Sequence, residues 1–145
     1  MRLNFDCVRD VLMCIEENTG LRKYCYFVDT GLSPAAQWLD NETTPAEYQQ
    51  KLSKRYDNDT LIYHVHYCLD AGLAVKSDHS CSYQIFVSDL SPDGHEFLAK
   101  IRDESQWGSV KKGLSAIRNY SLSAISSVAE GVTSAAISSY FSKKP

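Results

Sequence analysis

The stretch that decides the fold runs Asp57-Asn58-Asp59-Thr60-Leu61-Ile62-Tyr63-His64-Val65-His66-Tyr67-Cys68-Leu69-Asp70-Ala71-Gly72-Leu73-Ala74-Val75-Lys76. Its first three residues open a helix: short polar side chains accept from first-turn N–H groups, and carboxylates suit the positive end of the helix dipole. Leu61, Val65, Cys68 and Leu69 recur on one helical face, while Thr60, Tyr63, His64 and Tyr67 line another at i, i+3, i+4 and i+7. Gly72 ends the helix after Ala71. Leu73–Lys76 then reads as a short strand and Ser77–Ser80 as a turn. Ser82–Ser88 reads as a second strand, because Tyr83, Ile85 and Val87 alternate with Gln84 and Ser88. A helix therefore runs straight into a two-stranded hairpin.

Working outward, residues 4–18 predict a helix with Asn4 as N-cap and Phe5, Val8, Leu12 and Ile15 as its apolar stripe. Cys7 and Cys14 flank that stripe and read as packing residues. Tyr24–Val28 reads as a short strand. Pro34–Leu39 reads as a helical turn or an insertion loop. Thr44-Pro45 offers a cap followed by a proline at the first helical position, for a helix ending near Tyr56. Ser91-Pro92-Asp93 repeats that signal for a helix buried through Phe97, Leu98 and Ile101, fading near Asp103. A helical stretch is expected over 109–119. Leu122, Ile125, Val128, Ala129, Val132, Ala136 and Tyr140 mark a long last helix with a narrow stripe of small residues.

The predicted order is helix, strand, helix, helix, hairpin, helix. That is the order of a winged helix-turn-helix, in which the early strand pairs with the hairpin. The expected fold class is α+β, mainly helical: a winged helix-turn-helix with a small antiparallel sheet and a C-terminal helical extension. Domain boundaries are expected at 1–106 for the winged-helix part and 107–145 for the extension. The helix at 58–71 would be the recognition helix and the turn at 77–81 the wing tip.

Three segments resemble a small bacterial and prophage winged-helix family catalogued as a domain of unknown function. They are Phe5–Leu12 with Ile15-Glu16-Glu17, then Tyr63-His64 with Leu69–Leu73, then Gly94-His95-Glu96-Phe97-Leu98 with Ile101-Arg102-Asp103 and Trp107. The resemblance spans roughly residues 3–110. It implies a winged-helix domain often carried on mobile elements, with regulatory DNA binding and no assigned catalysis.

Composition narrows the functional classes. The 145 residues are 43% apolar and 23% charged with a net charge of −3, so a single globular domain with an appendage fits and a strongly basic nucleic-acid binder does not. Met1–Asp6 leads directly into amphipathic sequence without an apolar h-region, and no apolar run reaches the length of a membrane span. The expectation is a cytoplasmic protein with no membrane association. Five cysteines, an odd number without a Cys-x-x-Cys pair, read as reduced thiols. His64, Cys68, His79 and Cys81 are right in type for zinc but match no familiar spacing. Nucleotide-loop, metalloprotease and serine-hydrolase motifs do not occur, and His95-Glu96 reads as a helix-start pair. No enzyme, no metal and no cofactor is expected.

The candidate DNA-contact residues are Thr60, Tyr63, His64 and Tyr67 on the recognition helix, Lys51, Lys54 and Arg55 on the helix before it, and Lys76 in the wing. Hydroxyls and imidazoles read base edges, and cations supply the counterion-release term that dominates affinity. Residues 45–82 nevertheless hold five carboxylates (Glu47, Asp57, Asp59, Asp70, Asp78) against four cations. Two partner readings follow: double-stranded DNA bound by a transcriptional regulator, or a host protein bound by an adaptor or inhibitor. Residues 105–145 carry Lys111, Lys112, Arg118, Lys143 and Lys144 against Glu130 alone, which suits docking of a basic helix on an acidic body, in cis or between subunits. The stripe Leu122, Ile125, Ala129, Val132, Ala136 approximates a heptad seam and offers a homodimer contact through the C-terminal helix. Trp38, Tyr48 and Tyr56 fall in the long 29–57 connection and read as a local mini-core or a partner anchor.

Overall fold

The computed structural model describes residues 1–32, 44–81 and 83–142. The reading of Pro34–Leu39, with Trp38, falls outside the described residues, as do Ser82, Lys143 and Lys144. The chain is α+β and mainly helical. It divides into two compact units, Met1–His95 and Glu96–Pro145.

In the first unit, α1 (Phe5–Asn18) begins at Asn4, whose side chain accepts from the Cys7 N–H at 3.3 Å. Its stripe of Phe5, Val8, Val11, Leu12 and Ile15 is buried, together with Cys7 and Cys14. Then come β1 (Cys25–Val28), α2 (Glu47–Ser53), α3 (Asn58–Asp70), β2 (Ala74–Lys76) and β3 (Gln84–Leu90). The sheet order is β1-β3-β2 with both pairings antiparallel, so the early strand lies beside the second strand of the hairpin. A bulge at Val75/Lys76 ends regular pairing at the turn. Cys25, Phe27, Ile85 and Val87 point into the core with Leu61, Val65 and Cys68 of α3.

The boundaries of α3 follow local chemistry. Asp57 caps it by accepting from the Thr60 N–H at 2.8 Å. At its far end Gly72 takes φ +75°, with Gly72 N–H donating to Leu69 O and Leu73 N–H to Cys68 O, the double closure of a Schellman motif. The helix predicted from Thr44-Pro45 starts later, at Glu47, with Ala46 at the cap and no side-chain cap bond. Gln50 Nε2 instead donates to Pro45 O at 2.8 Å, so the carbonyl of the expected first turn is bound by a side chain. β3 also ends two residues further on than its alternation suggested, because Asp89 and Leu90 pair with Val75 and Ala74 of β2.

β1 is an edge strand, and its free edge is closed by side chains rather than by another strand. Tyr26 and Val28 direct their N–H and C=O groups away from β3. The Tyr48 hydroxyl accepts from Tyr26 N–H at 2.8 Å and donates to Tyr26 O at 3.0 Å. The Gln49 amide accepts from Val28 N–H at 2.8 Å and donates to Val28 O at 2.7 Å. Two consecutive residues of α2 thus do the work of a fourth strand. The Tyr48 half of the expected mini-core is this clamp.

α4 (Pro92–Ile101) straddles the boundary between the units in sequence, and Ser91 opens it by accepting from the Gly94 N–H at 2.9 Å. Gly94 is required by close approach: a Cβ there would collide with the Leu73 carbonyl. In the second unit α5 (Glu104–Ile117) is capped by Asp103 and starts earlier than residue 109, so Trp107 lies within it and residues 106 and 107 are both helical. α6 (Leu122–Ser142) packs on it through Ile125 and Ala129, facing Val110 and Leu114, with Val128 tight against Gly113. Lys100 and Glu130 form an ion pair at 2.8 Å.

Candidate functional site

α3 presents its exposed face one row further from the core than the sequence spacing suggested. At about 100° per residue, the stripe Thr60, Tyr63, His64, Tyr67 lies about 80° around the axis from the true outer face. Leu61, Ile62, His64, Val65 and Cys68 are buried, while Asp59, Tyr63, His66 and Asp70 are exposed at i, i+4, i+7 and i+11. His66 is the residue that sequence reasoning missed, although its position at i+7 from Asp59 and i+3 from Tyr63 places it on their face.

His64 is therefore a correction: it is fully buried and cannot reach a partner. Its Nδ1 lies 2.7 Å from Thr60 O, and its Nε2 accepts from the Asn4 N–H at 2.8 Å. A carbonyl can only accept, so Nδ1 carries the proton and the ring is neutral in this arrangement. The imidazole ties the start of α1 to α3. Tyr67 is half-buried, edge-on to Phe5 with ring centroids 6.2 Å apart. Tyr63 alone of the four predicted helix residues is exposed, at 40%. Thr60 is half-buried and serves the Asp57 cap.

The predicted cations are dispersed. Arg55 donates to Asp10 Oδ2 at 2.6 Å, and Tyr56 OH donates to the same oxygen at 2.7 Å. With Lys51, Arg55 lines an open groove of about 440 Å³ between α1 and α2, alongside Asp10, Glu17, Glu47, Met13 and Leu52. Three carboxylates outnumber two cations there. Lys54 is exposed at the C-cap of α2, and Lys76 is exposed at the end of β2.

Cys7, Cys14, Cys25 and Cys68 are buried and free, and only Cys81 is exposed. Burial pushes the first three up to about 12, and raises Cys68 as well. His95 stands between two carboxylates, 3.7 Å from Asp89 and 4.0 Å from Glu16, with its side chain half exposed. No described group of histidine, cysteine and carboxylate side chains is arranged to hold a metal ion. Among the described residues no helix is long and apolar enough to cross a membrane. In the second unit Ile125 and Ala129 of the predicted seam are already used against α5, whereas Ala136 is exposed with Ile137, Tyr140 and Phe141.

Taken together these features define a small, mainly helical α+β chain with a three-stranded antiparallel sheet. The chain belongs to the family described as "Hypothetical protein (DUF2513)", whose model matches residues 35–120. It is 34% identical over 82 residues to an uncharacterized protein of Haemophilus influenzae, covering 54% of this chain and 70% of that one. No solved structure gives a significant match.

Proposed function

We propose that the first unit is a winged-helix-type binding module that docks a protein partner through the outer stripe of α3. The order helix, strand, helix, helix, hairpin, with β1 beside β3, supports the fold name. The observation that carries the function is the stripe itself: Asp59 and Asp70 bracket Tyr63 and His66, and α3 contains no Lys or Arg. Such a face repels a phosphate backbone and complements a protein surface bearing lysine or arginine, with Tyr63 as the aromatic anchor. The module acts in the cytoplasm, carries out no catalytic step, and dimerises through the outer half of α6.

The second reading is a duplex-DNA-binding regulator, favoured by the same element order and by exposed Lys54 and Lys76. One experiment separates them. Full-length protein is tested for retardation of duplex DNA at low salt, and in parallel as bait in an extract of its native host. The protein-docking reading expects a captured protein that is lost with Asp59→Lys/Asp70→Lys and with Tyr63→Ala. Duplex retardation abolished by Tyr63→Ala, with no captured protein, overturns it. Sedimentation of the chain truncated after Tyr120 reads the dimer: an oligomeric state unchanged by the truncation removes that element.

A further inference from the structure

Independently of α3, the opposite side of the molecule's sheet carries a second face. Along β1 and β3 the core residues alternate with Tyr26, Phe86 and Ser88, and Tyr24 continues that outward row. Tyr24 and Phe86 lie 5.8 Å apart edge-on, and Tyr26 and Phe86 lie 5.8 Å apart tilted. His79, from the turn after β2, stacks on Tyr24 at 5.7 Å and meets Phe86 edge-on at 6.5 Å. Tyr24 is 46% exposed and His79 is exposed.

The backbone beneath this cluster is clamped on both sides. Tyr26 and Phe86 are directly paired across the strands. The Tyr48 hydroxyl closes the outer edge of Tyr26. On the other side the Ser80 hydroxyl accepts from Phe86 N–H at 2.9 Å and donates to Phe86 O at 3.1 Å. The central rings therefore stand on a fixed frame. Three cations lie close to the cluster along the chain: Arg22 and Lys23 in the turn leading into Tyr24, and Lys76 at the end of β2, three residues before His79. All three are exposed, and none forms an ion pair among the described residues. Asp78 is the carboxylate beside them in sequence.

We infer that this sheet face binds single-stranded nucleic acid, with bases stacking on Tyr24, His79 and Phe86 and phosphates meeting Arg22, Lys23 and Lys76. Exposed aromatic rings on a rigid sheet accept any unstacked base, and flanking cations track the backbone. A duplex hides its base faces and gains only the cations. The same chemistry serves DNA and RNA strands, so both are tested.

The test is fluorescence anisotropy of labelled oligo(dT), oligo(U) and a hairpin duplex of equal length, titrated with full-length protein at about 50 mM salt and above. The expected result is binding of a single strand in preference to the duplex, weakening as salt rises. Tyr24→Ala should weaken it about tenfold, His79→Ala by a smaller factor, and Arg22→Ala/Lys23→Ala should flatten the salt dependence. Tyr24→Phe should retain binding, and Tyr63→Ala should leave it unchanged. Absence of binding by either strand, equal binding of the duplex, or wild-type affinity in a folded Tyr24→Ala protein overturns the inference.

Discussion

α3's outer stripe and the sheet's outer face are built from similar parts, a tyrosine and a histidine in each, yet their charge settings are opposite. On α3, Tyr63 and His66 sit between Asp59 and Asp70. On the sheet, Tyr24 follows Arg22 and Lys23, and His79 follows Lys76, in the chain, all of them exposed. A helix following a helix and preceding a hairpin suggests a DNA reader by position alone, but position sets only what the helix can reach. The sign of the groups around the aromatic anchor sets what it attracts, and α3 itself carries no cation.

The largest effect is expected from loosening the clamped edge of β1. Gln49→Ala leaves the Val28 N–H and C=O without their partners in a buried place, and should cost about 2–4 kcal/mol in urea unfolding. Gln49→Glu sharpens the point. The ionised carboxylate has no proton to give to Val28 O, so folding favours the protonated form and the introduced group's pKa rises in the folded state. The deficit should be greatest above that raised pKa and shrink as pH falls through it. No such recovery would mean that the amide's donor role is incidental.

Next in size is the contrast within α3. His64→Ala should destabilise by about 1–3 kcal/mol, because both ring nitrogens hold buried or capping backbone groups. Its neighbour Tyr63→Ala should change stability by about 0.5 kcal/mol or less, as should Tyr24→Ala on the sheet. Equal losses at positions 63 and 64 would contradict the placement of the outer stripe. A thiol reagent adds a probe of sides: in the folded chain one of five cysteines, Cys81 in the turn after β2, should react quickly, and Cys68 inside α3 should wait for unfolding.

Much of the fold was legible in the sequence because its signals are local. Asn4, Asp57, Ser91 and Gly72 each terminate a helix by a bond within a few residues, and the alternation around Ile85 and Val87 marks a strand wherever it pairs. The mainly helical α+β class and the antiparallel sheet followed from them. What stayed hidden depends on distant partners. Nothing in Tyr48-Gln49 announces that its side chains will close a strand edge some twenty residues away. His64 looks like a surface histidine until Asn4 arrives from 60 residues off to use its Nε2. Arg55 reads as a phosphate contact until Asp10 claims it. The early start of α5 was obscured because Trp107-Gly108 reads as a break, while Asp103 supplied the cap further back. The outer stripe was misplaced for a different reason: Thr60, Tyr63, His64 and Tyr67 satisfy helical spacing as well as Asp59, Tyr63, His66 and Asp70 do, and only the buried set decides between them.

Amide chemical-shift mapping of the whole chain during titration with oligo(dT) sets the two faces against each other in one measurement. Perturbations should concentrate at Lys23, Tyr24, Tyr26, His79 and Phe86 and leave the outer stripe of α3 unmoved. Shifts centred on Asp59, Tyr63 and His66, with the sheet face silent, would contradict this.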